Sequence, residues 1–145
     1  SSDHAATYAK YLFETRLGLV TASASPSVGS VYEARQQLQG ALYLVISQSG
    51  KSPDLLRNAE AAKAAGARVV ALVNVEDSPL AQLADHLLIS TNREQLITTT
   101  DFALSRISAI VIIEVLYNFL LVGRPGAKGF VSRHEGLMAH DKDVR

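Results

Sequence analysis

Two short apolar runs restrict the fold more than any other feature of the chain. Residues 42–47 (LYLVIS) and 68–75 (RVVALVNV) are rich in β-branched and aliphatic side chains and lack polar alternation. A strand of that kind is buried on both faces, and sheets buried on both faces are parallel sheets covered by helices. Residues 19–24 and 86–90 have the same short β-branched character and bring the expected number of strands to four.

The segments between these strands carry helix punctuation. Ser-Pro occurs at 25–26, 52–53 and 78–79, where Ser can cap a helix and Pro can occupy its first turn without losing a hydrogen bond. Gly18, Gly40 and Gly66 each stand just before an expected strand, as residues that end helices do. The reading is helix 2–16, strand 19–24, helix 26–38, strand 42–47, helix 53–65, strand 68–75, helix 79–84, strand 86–90 and a long helix near 96–122. This is βαβ grammar, and it predicts an α/β fold: a three-layer sandwich around a parallel sheet, with flavodoxin- or Rossmann-like topology. The chain opens on a helix, so the first strand of such a plan is expected to be missing. Three of the nine glycines fall within 123–129, and the tail from about 123 is expected to be loop-like.

At 145 residues the chain is expected to form a single domain, 1–145. Fourteen Lys and Arg balance fourteen Asp and Glu, so no basic face is expected to bind nucleic acid by bulk charge, and nothing favours an anionic membrane. With no cysteine, disulfides, thiolate metal sites and thiol nucleophiles are excluded. The N-terminus lacks a secretory pattern, and the apolar stretch 107–122 is short for a membrane span and carries Glu114 and Asn118. A cytoplasmic protein with a buried helix is the expectation.

The segment with the clearest chemistry is residues 45–54, VISQSGKSPD. A buried strand ends in a hydroxyl-rich loop around one glycine, and a helix starts at once. Gly50 permits close backbone approach, the helix start offers unpaired N–H groups and a positive dipole end, and Ser47, Ser49 and Ser52 add hydroxyl donors. That set suits a phosphate monoester; a plain turn with Ser52 as helix cap is the competing reading. Gly50-Lys51-Ser52 matches the end of an ATP-binding P-loop, but Val45 stands where that motif needs its first glycine. No GxGxxG supports a dinucleotide, and no cofactor is expected.

The segment 46–54 and the Ala-rich helix ending Lys63-Ala64-Ala65-Gly66-Ala67 resemble the SIS (sugar isomerase) domain family, whose loop has the form Ser-x-Ser-Gly-x-Ser/Thr. The resemblance continues through Ala71-Leu72-Val73-Asn74, Ser78-Pro79-Leu80-Ala81 and Ala84-Asp85, and back to Ser1-Ser2 and residues 24–28. Residues 1–92 look like the glucosamine-6-phosphate synthase isomerase and deaminase branch, and 100–121 like SIS domains of sugar-responsive transcription regulators. The resemblance implies that Ser47, Gln48, Ser49, Gly50 and Ser52 bind the phosphate of a sugar phosphate, of the glucosamine-6-phosphate or fructose-6-phosphate class. It also implies that Ser1 and Ser2 line the sugar.

An isomerase needs a general base near the sugar. His4 and Glu33 are the candidate catalytic residues, with His134 and His140 as further histidines; for His4 and Glu33 a solvated helix face is the competing reading. No metal-ligand cluster and no Gly-x-Ser-x-Gly elbow occurs. Three readings stay open: an aldose-ketose isomerase or deaminase type of amino-sugar metabolism, a non-catalytic effector-binding module of a regulator, and a composite SIS-like chain without a working site. Apolar residues surround the helix near 96–122 on nearly all sides, which predicts a homo-oligomer through that helix.

Overall fold

The computed structural model describes residues 2–24, 36–90 and 101–126, with side chains in the last segment from Ile107 onward. Helix α1 (Ser2–Leu17) is followed by strand β1 (Leu42–Ser47), helix α2 (Pro53–Ala64), strand β2 (Arg68–Val73), the short helix α3 (Pro79–Leu83), strand β3 (His86–Ile89) and helix α4 (Asp101–Val122). The strands pair in parallel in the order β1-β2-β3, with Ser47 opposite Val73 and Val73 opposite Ile89.

β2 behaves as its composition demands, whereas β1 is buried only over Val45, Ile46 and Ser47, its first half lying exposed or half-buried. Every residue of β2 after Arg68 is buried, and the pleat sends alternate side chains to two separate cores. On one face Ile46 and Leu72 pack with Ala5, Ala9, Leu12, Phe13 and Leu17 of α1 and Ala109 and Ile113 of α4. On the other, Val45, Ala71 and Val73 pack with Ala59 of α2 and Leu80 and Ala81 of α3. These are the three layers of the expected α/β sandwich. Among the described residues β3 lies at one edge of the sheet, and its residues are only half-buried or exposed.

One expected strand does not form. Residues 19–24 run as irregular chain after Gly18 closes α1 at φ +63°, and Val20 is fully exposed at 102%. β-branched composition makes a segment fit to be a strand, but a strand exists only in a ladder. Among the described residues β1 pairs with β2 alone. Smaller corrections follow from local bonding. β2 ends at Val73 rather than at 75, because Asn74 turns its N–H to Gln48 and Val75 accepts from Ser78 in a turn. Residues 36–38 are not helical; most of the expected helix 26–38, and the tail from 127, lie outside the described residues.

At the amino ends of the strands, Asp85 joins three elements. Its carboxylate accepts from Lys63 Nζ of α2 at 2.8 Å and from the Val69 N–H of β2 at 2.8 Å. The same Lys63 also donates to Leu83 O of α3 at 2.7 Å. The Lys63 hydrogen bond, then that of Val69, holds the Asp85 carboxyl below its usual range. The pair α1–α4 carries a polar contact of its own, Tyr8 Oη donating to Glu114 Oε1.

Candidate functional site

The site lies at the carboxyl ends of the strands, where open α/β sheets present their loops. β1 delivers Ser47 to that edge with its side chain buried at 6% exposure, and its Oγ accepts from the Gly50 N–H at 3.2 Å. The bond folds residues 47–50 back on themselves and turns the loop toward α2. Gly50 adopts φ +64°, and a Cβ there would lie 2.2 Å from Ser78 Oγ and 2.5 Å from Ser78 Cβ. Both the conformation and the space require glycine.

Two more bonds fix the loop from outside. The Asn74 N–H, at the exit of β2, donates to Gln48 O at 3.1 Å, and the Leu80 N–H of α3 donates to Gly50 O at 3.1 Å. The exposed Ser49 accepts from the Lys51 N–H at 3.3 Å and keeps its own hydroxyl proton to donate.

Ser52 is the N-cap of α2, in extended conformation with Pro53 next, and its side chain makes no cap hydrogen bond. Its carbonyl begins the helix by accepting from the Leu56 N–H at 3.0 Å. The N–H groups of the first turn have no carbonyl partner within a helix, so this helix start presents donors at its positive end. Asp54, in that turn, would repel an anion, but its carboxylate pairs with Arg57. Lys51 stands exposed on the loop and adds a positive charge just before the helix start.

The arrangement matches a known family. The SIS domain family covers residues 1–117. The chain belongs to it.

Among SIS-containing proteins, the glutamine–fructose-6-phosphate aminotransferase (isomerizing) of Helicobacter pylori is 32% identical over 116 residues, 79% of this chain and 19% of that protein. An uncharacterised HTH-type transcriptional regulator of Clostridium perfringens is 28% identical over 113 residues, 78% of this chain and 40% of the regulator. The Vibrio vulnificus NanR protein, solved in complex with ManNAc-6P, superposes with a TM-score of 0.74 at 26% identity, over 94% of this chain and 51% of that one. The chain thus spans about a fifth of the aminotransferase and about half of NanR.

Within this SIS domain, Ser47 ends β1, Gln48, Ser49 and Gly50 form the loop that follows, and Ser52 stands at the start of α2. Ser2 and His4 lie in the first turn of α1, Ser2 half-buried and His4 exposed, and no hydrogen bond or ion pair among the described residues joins either to the loop. Ser1, Glu33, His134 and His140 lie outside the described residues. Sequence reading passed over the supports of the loop, Asn74, Ser78 and Leu80. Ser78-Pro79 was legible as a helix start, but only the packing of α3 against β2 brings Ser78 beneath Gly50.

Among the described residues no group of three or more His, Asp or Glu could hold a metal ion, and no helix is long and apolar enough to cross a membrane.

Proposed function

We propose that this SIS domain binds a sugar phosphate of the glucosamine-6-phosphate or fructose-6-phosphate class, with the phosphate in loop 47–52. The uncommitted Ser52 hydroxyl carries this reading: a serine placed as a cap at a helix start, yet making no cap bond, is a donor held ready for an anion. Ser49 and Gln48 stand in the same loop, the first-turn N–H groups of α2 open behind it, and Ser1 and Ser2 are assigned to the sugar. Relatives named for fructose-6-phosphate chemistry, and one solved with ManNAc-6P, support this ligand class.

The decisive comparison is thermal unfolding with glucosamine and with glucosamine-6-phosphate. Only the phosphate ester is expected to stabilise the protein, by about 2.7 kcal/mol at 100 times its dissociation constant. Equal shifts with both sugars would refute the assignment.

For chemistry beyond binding, His4 and Glu33 remain the proposed bases of an isomerase or deaminase. The exposed, unlinked position of His4 favours the second reading, an effector-binding module, so turnover by this chain alone is expected to be slow or absent. A coupled assay with fructose-6-phosphate that shows brisk turnover, lost in Glu33→Gln or His4→Asn, would restore the enzyme reading.

The proposal extends to assembly. Ile107, Val111, Val115, Phe119 and Val122 form one exposed stripe on α4, while Ala109 and Ile113 on its inner face are buried against α1. A helix with a second apolar stripe is suited to pairing with another copy of the chain. Light scattering that finds a monomer at micromolar concentration would defeat this extension.

A further inference from the structure

The geometry points to Ser78 as a positioning residue for the phosphate loop, an inference that rests on the phosphate reading of residues 47–52. Ser78 is 1% exposed and lies 31 residues after Ser47 in the chain, yet it forms the floor against which Gly50 rests. Gly50 is constrained from three directions: its N–H by Ser47 Oγ, its carbonyl by the Leu80 N–H, and its α-carbon by the Ser78 side chain. Nothing larger than a hydrogen fits between that α-carbon and Ser78.

Ser78 itself cannot retreat. Its Oγ accepts from the Ala81 N–H at 3.4 Å, its N–H donates to Val75 O at 3.2 Å, and its carbonyl accepts from the Gln82 N–H at 3.1 Å. Leu80, two residues on, is fully buried under α2 and β2. The turn is therefore a rigid stop, and the size of residue 78 sets how far Gly50 sits toward the core. Because Ser52 and the first turn of α2, whose donors would meet a phosphate, follow Gly50 closely in the chain, their direction is set by residue 78 although that residue touches no ligand. A cradle of several donors loses affinity steeply when its backbone is displaced, because hydrogen bonds weaken sharply with misalignment.

The test is a double-mutant cycle on Gly50→Ala and Ser78→Gly, reading the dissociation constants for glucosamine-6-phosphate and inorganic phosphate alongside the melting temperature. Gly50→Ala alone is expected to weaken both ligands about thirtyfold or more, by steric displacement and left-handed strain together. Ser78→Gly alone takes away the floor, lets Gly50 settle toward the core and is expected to weaken both ligands by about threefold to tenfold. Combined, the two changes are expected to recover affinity to within about fivefold to tenfold of wild type, the remainder being the left-handed strain of alanine.

This recovery of affinity is the signature of positioning, since Ser78→Gly lowers stability on its own and a purely structural role would make the double variant worse. Ser78→Thr serves if Gly50→Ala does not fold. It retains the hydroxyl, adds one methyl group at the contact, and is expected to weaken both ligands by about tenfold. Multiplying, independent effects in the cycle, or wild-type affinity in Ser78→Thr, would overturn the proposal while phosphate binding by the wild-type protein stands. A wild-type protein that binds neither ligand removes the phosphate reading, and the positioning role with it.

Discussion

Ser52-Pro53 and Ser78-Pro79 begin their helices with the same two residues, in the same extended cap conformation, with proline at the start of the first turn. Their hydroxyls are used differently. Ser78 is buried, closes its own helix by accepting from Ala81, and bears on Gly50. Ser52 is half-buried and makes no cap bond. The difference lies in what surrounds them. α3 is five residues long and packed on β2, and its cap serine bonds its own backbone. α2 is twelve residues long and starts at the rim of the loop, where an incoming anion can complete its first turn. A shared local motif thus serves as a structural cap in one place and as a candidate binding donor in the other.

The contrast can be broken in several ways. The largest effect is expected from removing what seats α3: Leu80→Ala should cost about 2–5 kcal/mol in chemical denaturation, because a fully buried leucine leaves a cavity. A loss under 1 kcal/mol would mean that α3 can collapse onto β2 and is no rigid stop. Next comes the double substitution Ser49→Ala with Ser52→Ala. It should erase the stabilisation of about 2.7 kcal/mol that saturating glucosamine-6-phosphate provides, with little change to the unliganded protein. A retained ligand shift would place the phosphate elsewhere.

The caps themselves can then be compared singly. Ser78→Ala is expected to cost about 1 kcal/mol, the ordinary value of a lost serine cap. Ser52→Ala should stay within about 0.5 kcal/mol of wild type, because no cap bond is lost. Equal losses in calorimetry would show that the two serines do the same work, and the distinction drawn from their geometry would fall.

The smallest effect is expected at the opposite end of the sheet. Asp85 has a folded-state pKa below its unfolded value, through Lys63 first and Val69 second. Its contribution to stability is therefore present above the unfolded pKa, about 3.9, and is lost as pH falls through the depressed folded value. Acid titrations of wild type and Asp85→Asn should diverge at neutral pH and converge below that window. Parallel curves throughout would remove the linkage.

Several of these features were legible before any coordinates. The apolar runs at 42–47 and 68–75 announced parallel strands, since they are short, β-branched and bounded by turn residues; β2 proved buried throughout after Arg68, and β1 in its second half. The cluster of Ser47, Gln48, Ser49, Gly50 and Ser52 was legible as well, because a loop of hydroxyls between a strand and a helix start is a local arrangement written in consecutive residues. Residues 19–24 had the composition of a strand without becoming one. Helices satisfy their own backbone within a segment, whereas a strand depends on a neighbour that its own residues do not specify.

The same division separates what each level decided about the site. Local sequence determined that a phosphate-type loop could form, that glycine would stand at its centre, and that a helix would start behind it. Tertiary structure alone decided which serine keeps a free hydroxyl and which becomes the floor under Gly50. That choice depends on the depth at which α3 packs against β2, and depth is set by contacts between residues far apart in the chain. It also decided that α4 is buried on the side of Ala109 and Ile113 and open along Ile107, Val111, Val115 and Phe119. A helix apolar on all sides has no pattern from which to choose a face, and only its packing against α1 makes the choice.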